Sequence, residues 1–308
     1  MERRARDLGK LVVIGAGNMG AAIIRGVIAP PVSPAVSLAS VRSPAAPSPS
    51  GVPTGQSSGA IFPPANVIAV ESDAARRAEM QHLGLRAVST ISDLTAADIH
   101  GAVVLLAVKP QMFEAVASAW LAAKLPADSL FVSIMAGVTI ARITQQLAAP
   151  RIIRTMPNLP AQVTTGMTAI AAQPGADPHD LATVERLFSA VGKTVQIQES
   201  LMDAFTAVAG SGPAYVFYLA EAMQQAAADL GFSPIQADTM VRQTIAGAAK
   251  LLSERADTTP ANLRASVTSK GGTTAAATAT LDAHNVQPAI IAAIKAAAAR
   301  GAELGKST

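Results

Sequence analysis

Cysteine is absent from the sequence, which excludes disulfides, thiolate nucleophiles and cysteine-ligated metals and suits a reducing cytoplasm. Aromatic residues make up only 3% of the chain and charged residues 15%. The basic side chains are dispersed and not interleaved with aromatics, so they form no stripe for nucleic acid. No uninterrupted apolar run approaches the roughly 18 residues of a membrane helix. The opening stretch "MERRARDLGKLVVIGAG" passes from basic to apolar, but its apolar run lasts about five residues, too short for the core of a signal peptide. A cytoplasmic chain that engages neither nucleic acid nor membrane is expected. The four histidines are scattered, without metal-ligand spacing, and read as surface or capping residues.

Alanine and small aliphatic residues fill the space these absences leave. Half of the 308 residues are hydrophobic, enough for a sizeable core in one or two domains, and the many alanines favour closely packed helix. Apolar runs at 10–14, 66–71, 85–90, 102–108, 129–135 and 151–155 read as strands, with helical segments at 18–29, 73–82, 110–124 and 139–148. This alternation predicts an α/β domain with a parallel sheet covered on both faces. Two later strands, 166–172 and 193–198, flank a helix near 177–190. Beyond Glu199 strand signals cease, and helices are expected at 200–208, 213–231, 234–255, 260–266, 273–283 and 287–304. The expected division is therefore 1–199, α/β, and 200–308, all-helical.

Residues 30–65 fit neither pattern. They hold nine of the 20 prolines together with much serine and glycine, a composition that cannot bury enough surface to offset its ordering entropy. A disordered insert is expected there.

Gly15, Gly17 and Gly20 form G-x-G-x-x-G directly after the first strand and at the start of the first helix. The first glycine allows the tight turn, the second lets a pyrophosphate approach the backbone, and the third lets helix pack on strand. The amides of Asn18 and Met19 belong to the helix start, whose dipole favours an anion. A dinucleotide-binding, Rossmann-like domain follows. The acidic residue that accepts from a ribose 2′-hydroxyl stands about 20 residues on in such folds. Glu71 ends the second strand much later, and subtracting the insert restores the spacing. Glu71 favours NADH, whereas Arg76 and Arg77 are placed to receive a 2′-phosphate and favour NADPH, so both cofactors stay open. Val108, Lys109 and Pro110 follow the strand at 102–108 and should border the nicotinamide half, and Asn158, held near prolines, should face a ligand at another strand end.

A second glycine-rich loop, "VTSKGGTT" at 267–274, opens a late helix. The unpaired amides of a helix start and the missing side chains of Gly271 and Gly272 suit a small anion. Taken in order, "GAGNMG", "AVKPQ", "RTMPN", "GSGPAYVF" and "VTSKGGTT" resemble the pyrroline-5-carboxylate reductase family. The resemblance spans the whole chain apart from the insert. It implies hydride transfer from NADPH or NADH to the imine carbon of 1-pyrroline-5-carboxylate, giving L-proline. It also implies an all-helical second domain that interlocks a homodimer, in many members within a ring of dimers. From the family, Thr274 should hydrogen-bond the ring nitrogen, while Ser269 and the amides around Gly271, Gly272 and Thr273 hold the substrate carboxylate. Ser211 is a further substrate-site candidate. Lys270 departs from the family, which commonly has proline there.

Two other readings compete. A β-hydroxyacid dehydrogenase would carry a catalytic lysine on the first long helix of its second domain, and the segment 213–231 has none. A non-catalytic NAD(P)-binding sensor would keep the first loop but has no use for Thr274 and its neighbours.

Overall fold

The computed structural model describes residues 9–29, 60–126 and 128–307. Residues up to Met202, together with the last few from Leu304, cluster as one compact unit, and Asp203–Glu303 as a second.

The first unit is built on an eight-stranded sheet: β1 Leu11–Ile14, β2 Val67–Val70, β3 Arg86–Val88, β4 Val103–Leu106, β5 Leu130–Ser133, β6 Ile152–Met156, β7 Gly166–Ala172 and β8 Gly192–Gln196. Their order across the sheet is β3-β2-β1-β4-β5-β6-β7-β8. Among the described residues six α-helices connect them: α1 Asn18–Ile28, α2 Ala74–His82, α3 Ala96–Ile99, α4 Phe113–Ala122, α5 Ile140–Leu147 and α6 Pro178–Ser189. Strands β1 to β6 pair in parallel, as their continuous apolar runs imply. Leu11 and Val13 point into one core, with Ile23, Val27, Phe62 and Phe188, whereas Val12 and Ile14 point into the other, with Phe113, Trp120 and Phe131.

Three features depart from expectation. First, β7 runs antiparallel to β6. The connection, Pro157 to Thr165, holds only a 3₁₀ turn at Leu159–Val163, too short for the crossover that a parallel partner needs. Second, the small helix α3 was not anticipated. Its Thr95 and Asp98 form a capping box, with Asp98 Oδ2 accepting from the Thr95 amide at 2.9 Å. Third, the expected disordered segment extends too far. The amides of Ile61 and Phe62 donate to the Val27 carbonyl at 2.9 and 3.1 Å, and Phe62 is completely buried. Residues 30–59 of that segment lie outside the described residues.

The second unit is helical. The chain passes from α7 Met202–Phe205 through a π-helical turn, Thr206–Gly210, into α8 Gly212–Asp229, then α9 Pro234–Glu254, α10 Pro260–Ser266, α11 Thr273–Ala283 and α12 Val286–Ser307. Helix was expected at 200–208, and the segment is helical throughout, widening to a π turn from Thr206. The unit's described residues bury few apolar side chains, namely Ala207, Ala227, Ala237 and Val241, while Phe217, Leu219, Ile235, Ile290 and Ile291 are exposed. Among the described residues no helix is long and apolar enough to cross a membrane.

Candidate active site

The strand order reverses between β1 and β4, since β1 is flanked by β2 on one side and β4 on the other. Ligands of such sheets bind beyond the carboxyl ends of the strands at this point. Three sequence-predicted segments meet there: Gly15–Gly20 after β1, Glu71 after β2 and Val108–Pro110 after β4.

The glycine positions are explained by what surrounds them. Gly15 has φ +95°, and a Cβ there would stand 2.8 Å from the Ala107 carbonyl oxygen. A Cβ on Gly20 would stand 2.2 Å from the carbonyl oxygen of Gly15. Gly17 is different. Its backbone is ordinary, it precedes α1 with no side-chain cap, and among the described residues the only atom near a Cβ there would be Arg76 Nη1, 3.9 Å away. Uncapped amides at a helix start beside an open glycine form a cradle that fits the pyrophosphate of a dinucleotide. Asn18 is exposed at this start, while the Met19 side chain packs on the core and leaves its backbone to the cradle.

Glu71 follows β2 beside the glycine loop, and its carboxylate is engaged. Oε2 accepts from the Ala16 amide and Oε1 from the Asp73 amide, each at 2.9 Å. Arg77 donates to the carbonyl oxygens of Glu71 and Ser72, at 2.9 and 2.6 Å. Asp73 caps α2 by accepting from the Arg76 amide at 2.9 Å. Residue spacing located this turn, but the amide contacts from Ala16 and Asp73 had no sequence signal.

Val108 is half-buried and packs on the core beneath the cradle, Lys109 is exposed, and Pro110 opens a short 3₁₀ turn. Asn158 is buried at the end of β6, and its Oδ1 accepts from the Met167 amide at 2.8 Å. It stands two strands away from β4 along the same carboxyl edge, so one side-chain atom serves the scaffold.

The remaining candidates belong to the helical unit. Gly271 turns with φ +72°, and the Gly272 amide donates to the Ser269 carbonyl at 3.0 Å. The Ser269 hydroxyl oxygen lies so close to Gly272 that a Cβ there would meet it at 2.4 Å. Gly272 then caps α11 without a side-chain hydrogen bond. Thr273 is exposed and Thr274 half-buried in the first turn of α11, and the Thr274 hydroxyl has no hydrogen-bond partner among the described residues. Lys270 is exposed. Ser211 ends the π-helical turn, its amide donating to the Thr206 carbonyl at 2.7 Å, while the Tyr215 hydroxyl donates to the Ala207 carbonyl at 2.9 Å. Wide π turns recur at functional sites; this one carried no signal beyond the quoted "GSGPAYVF".

Residues 199–304 match the family model for pyrroline-5-carboxylate reductase dimerisation, and residues 54–137 match NADP oxidoreductase coenzyme F420-dependent. The pyrroline-5-carboxylate reductase of Synechocystis sp. is 42% identical over 80% of this chain and 90% of its own. That of Vibrio alginolyticus is 35% identical over 96% of this chain and 98% of its own. Among solved structures, a pyrroline-5-carboxylate reductase from Coxiella burnetii superposes with a TM-score of 0.77 at 28% identity, covering 96% of this chain and 98% of that one.

Proposed function

Because the chain belongs to the pyrroline-5-carboxylate reductase family, we propose that it reduces the C=N bond of 1-pyrroline-5-carboxylate to give L-proline. The observation that carries this is the start of α11, where a Gly271–Gly272 turn leaves helix amides uncapped and Thr274 presents a hydroxyl with no partner among the described residues.

The reduced nicotinamide, when bound, supplies a hydride from its C4 atom to the imine carbon. Gly15, Gly17, Asn18, Met19 and Gly20 hold its pyrophosphate by their backbone, and the Glu71 turn borders the ribose. Val108, Lys109, Pro110 and Asn158 line the strand edge toward its nicotinamide half. The amides near Gly271, Gly272 and Thr273, with the Ser269 hydroxyl, take the substrate carboxylate at the positive end of α11. Ser211 adds a hydroxyl to the substrate side.

Thr274 fixes the ring nitrogen and so aims the imine carbon. A hydroxyl is too weak an acid to protonate the nitrogen at neutral pH, so its role is orientation. As the hydride adds, the C=N π pair passes to nitrogen. The proton there either arrives with the substrate as iminium or comes from water beside Thr274.

The unit from about residue 200 onward is the substrate and dimerisation domain of this reading, and residues before it carry the cofactor. Its exposed apolar helices are the surface through which two copies associate, and dimers assemble further into a ring. The reaction takes place in the cytoplasm.

The decisive assay supplies 1-pyrroline-5-carboxylate with NADPH or NADH and follows absorbance of the reduced cofactor together with proline formation. Substrate-dependent oxidation with stoichiometric proline is expected. Turnover with neither cofactor overturns the assignment.

A further inference from the structure

The turn after β2 and the first turn of α2 carry Glu71, Arg76 and Arg77, each a candidate to read the 2′-position of an adenosine ribose, and two of these are already committed. Both oxygens of the Glu71 carboxylate accept backbone amides, from Ala16 and Asp73 at 2.9 Å, and the residue is buried. Recognition of a ribose 2′-hydroxyl by an acidic residue needs a carboxylate presented to the ligand. This one instead ties the glycine loop to the start of α2. Arg77 is spent in the same way, its Nη1 donating to the carbonyl oxygens of Glu71 and Ser72.

Arg76 differs from both. Its amide is capped by Asp73, but its guanidinium has no hydrogen-bond or ion-pair partner among the described residues. The side chain is exposed, and Nη1 lies 3.9 Å from where a Cβ on Gly17 would stand. It opens into the same groove as Ala16, Gly17 and Asn18. No neighbouring acid forms an ion pair with it among the described residues: Glu79 is paired with Arg25, and Asp73 Oδ1 accepts the Arg76 amide. A free guanidinium beside a pyrophosphate cradle has the geometry for a second phosphate one ribose away, which a planar fork can grip through two N–H donors.

We propose that Arg76 is the specificity-determining residue for the cofactor and that this chain prefers the 2′-phosphorylated form, NADPH, over NADH. Glu71 braces the two turns and does not read the ribose. The inference rests on the proposed reaction only for the class of cofactor.

Direct titration calorimetry of the full chain with adenosine 2′,5′-bisphosphate and with 5′-AMP tests it without turnover. The wild type should bind the bisphosphate about ten- to hundredfold more tightly, the range expected for a charge-assisted hydrogen-bonded pair. Arg76→Ala should erase that difference while leaving 5′-AMP binding within about twofold, and Arg76→Lys should keep part of it. Equal wild-type affinities overturn the proposal, as does an Arg76→Ala variant that weakens both ligands alike or neither. Selective bisphosphate binding by a chain that reduces no imine would fail the proposed reaction and leave this inference standing.

Discussion

A methyl group on Gly20 would stand 2.2 Å from the carbonyl oxygen of Gly15, inside any allowed contact. Gly20→Ala must therefore push α1 off the turn. A loss of about 1–3 kcal/mol is expected from such overpacking, visible as a lower melting temperature. Gly17→Ala is the contrasting variant: among the described residues its methyl meets only Arg76 Nη1, at 3.9 Å. It should melt with the wild type yet lose cofactor affinity, because the methyl enters the open cradle.

Phe62 is fully buried and its amide is anchored to Val27. Phe62→Ala should cost about 3–5 kcal/mol in chemical denaturation. Replacing residues 31–59 with a short linker should cost far less, because Val27 and Ile61 are already hydrogen-bonded neighbours. Equal losses from the two changes would show that the excised residues belong to the core.

Thr274→Ala should lower kcat at least tenfold and leave cofactor Kd within about twofold, because it removes orientation in the reacting complex and nothing from the cradle. Thr274→Ser should restore most of kcat. An unchanged kcat in the alanine variant would take Thr274 out of the reaction.

Asp98 sets an acid limit on the first unit. Burial pushes its carboxyl up, but hydrogen bonds from Arg86 and from the Thr95 amide and hydroxyl outweigh this and hold it well below the usual carboxylate range. Arg86 lies 2.7 Å away and Lys10 3.4 Å. With the folded value depressed, this stability is fully present above the unfolded value of about 3.9 and is lost as pH falls through the folded one. Asp98→Asn should cost about 1–3 kcal/mol at pH 7 and flatten the decline in melting temperature below about pH 4. A parallel decline in both proteins would remove Asp98 from the acid response.

Ile290 and Phe217 are exposed apolar residues of the helical unit, at 51% and 54% of their surfaces. Ile290→Asp and Phe217→Asp should shift light-scattering mass from dimers, or a ring of them, toward monomers while helical circular dichroism persists. Unchanged mass in both variants would place the subunit contact elsewhere.

Much of this was legible in one dimension. Strands β1, β2, β4 and β5 fall on apolar runs, because a strand buried on both faces can carry almost nothing else, whereas the edge strands β3 and β8 are partly exposed and carry Arg86, Lys193 and Gln196. The cradle was equally legible, since a backbone that passes 2.8 Å from a Cβ position admits only glycine. Other features carried no such mark. The antiparallel β7 follows from a short connection and not from the strand's own residues. Phe62 looked like the tail of a Pro/Ser-rich stretch, since burial depends on a partner, here Val27, far away along the chain.

By itself, the sequence determined the order of elements, the two glycine loops and the chemistry their residue types allow. All of these are local: they depend on periodicity, on missing side chains and on hydroxyls at a helix start. Only the tertiary structure decided how the charged turn after β2 is used. Spacing made Glu71, Arg76 and Arg77 equivalent candidates for the ribose. Folding brings the Ala16 amide to Glu71, turns Arg77 back onto its own strand end, and leaves the Arg76 guanidinium open beside Gly17. A hydrogen bond between residues 55 positions apart is a property of the packed chain, and such bonds separate a brace from a ligand.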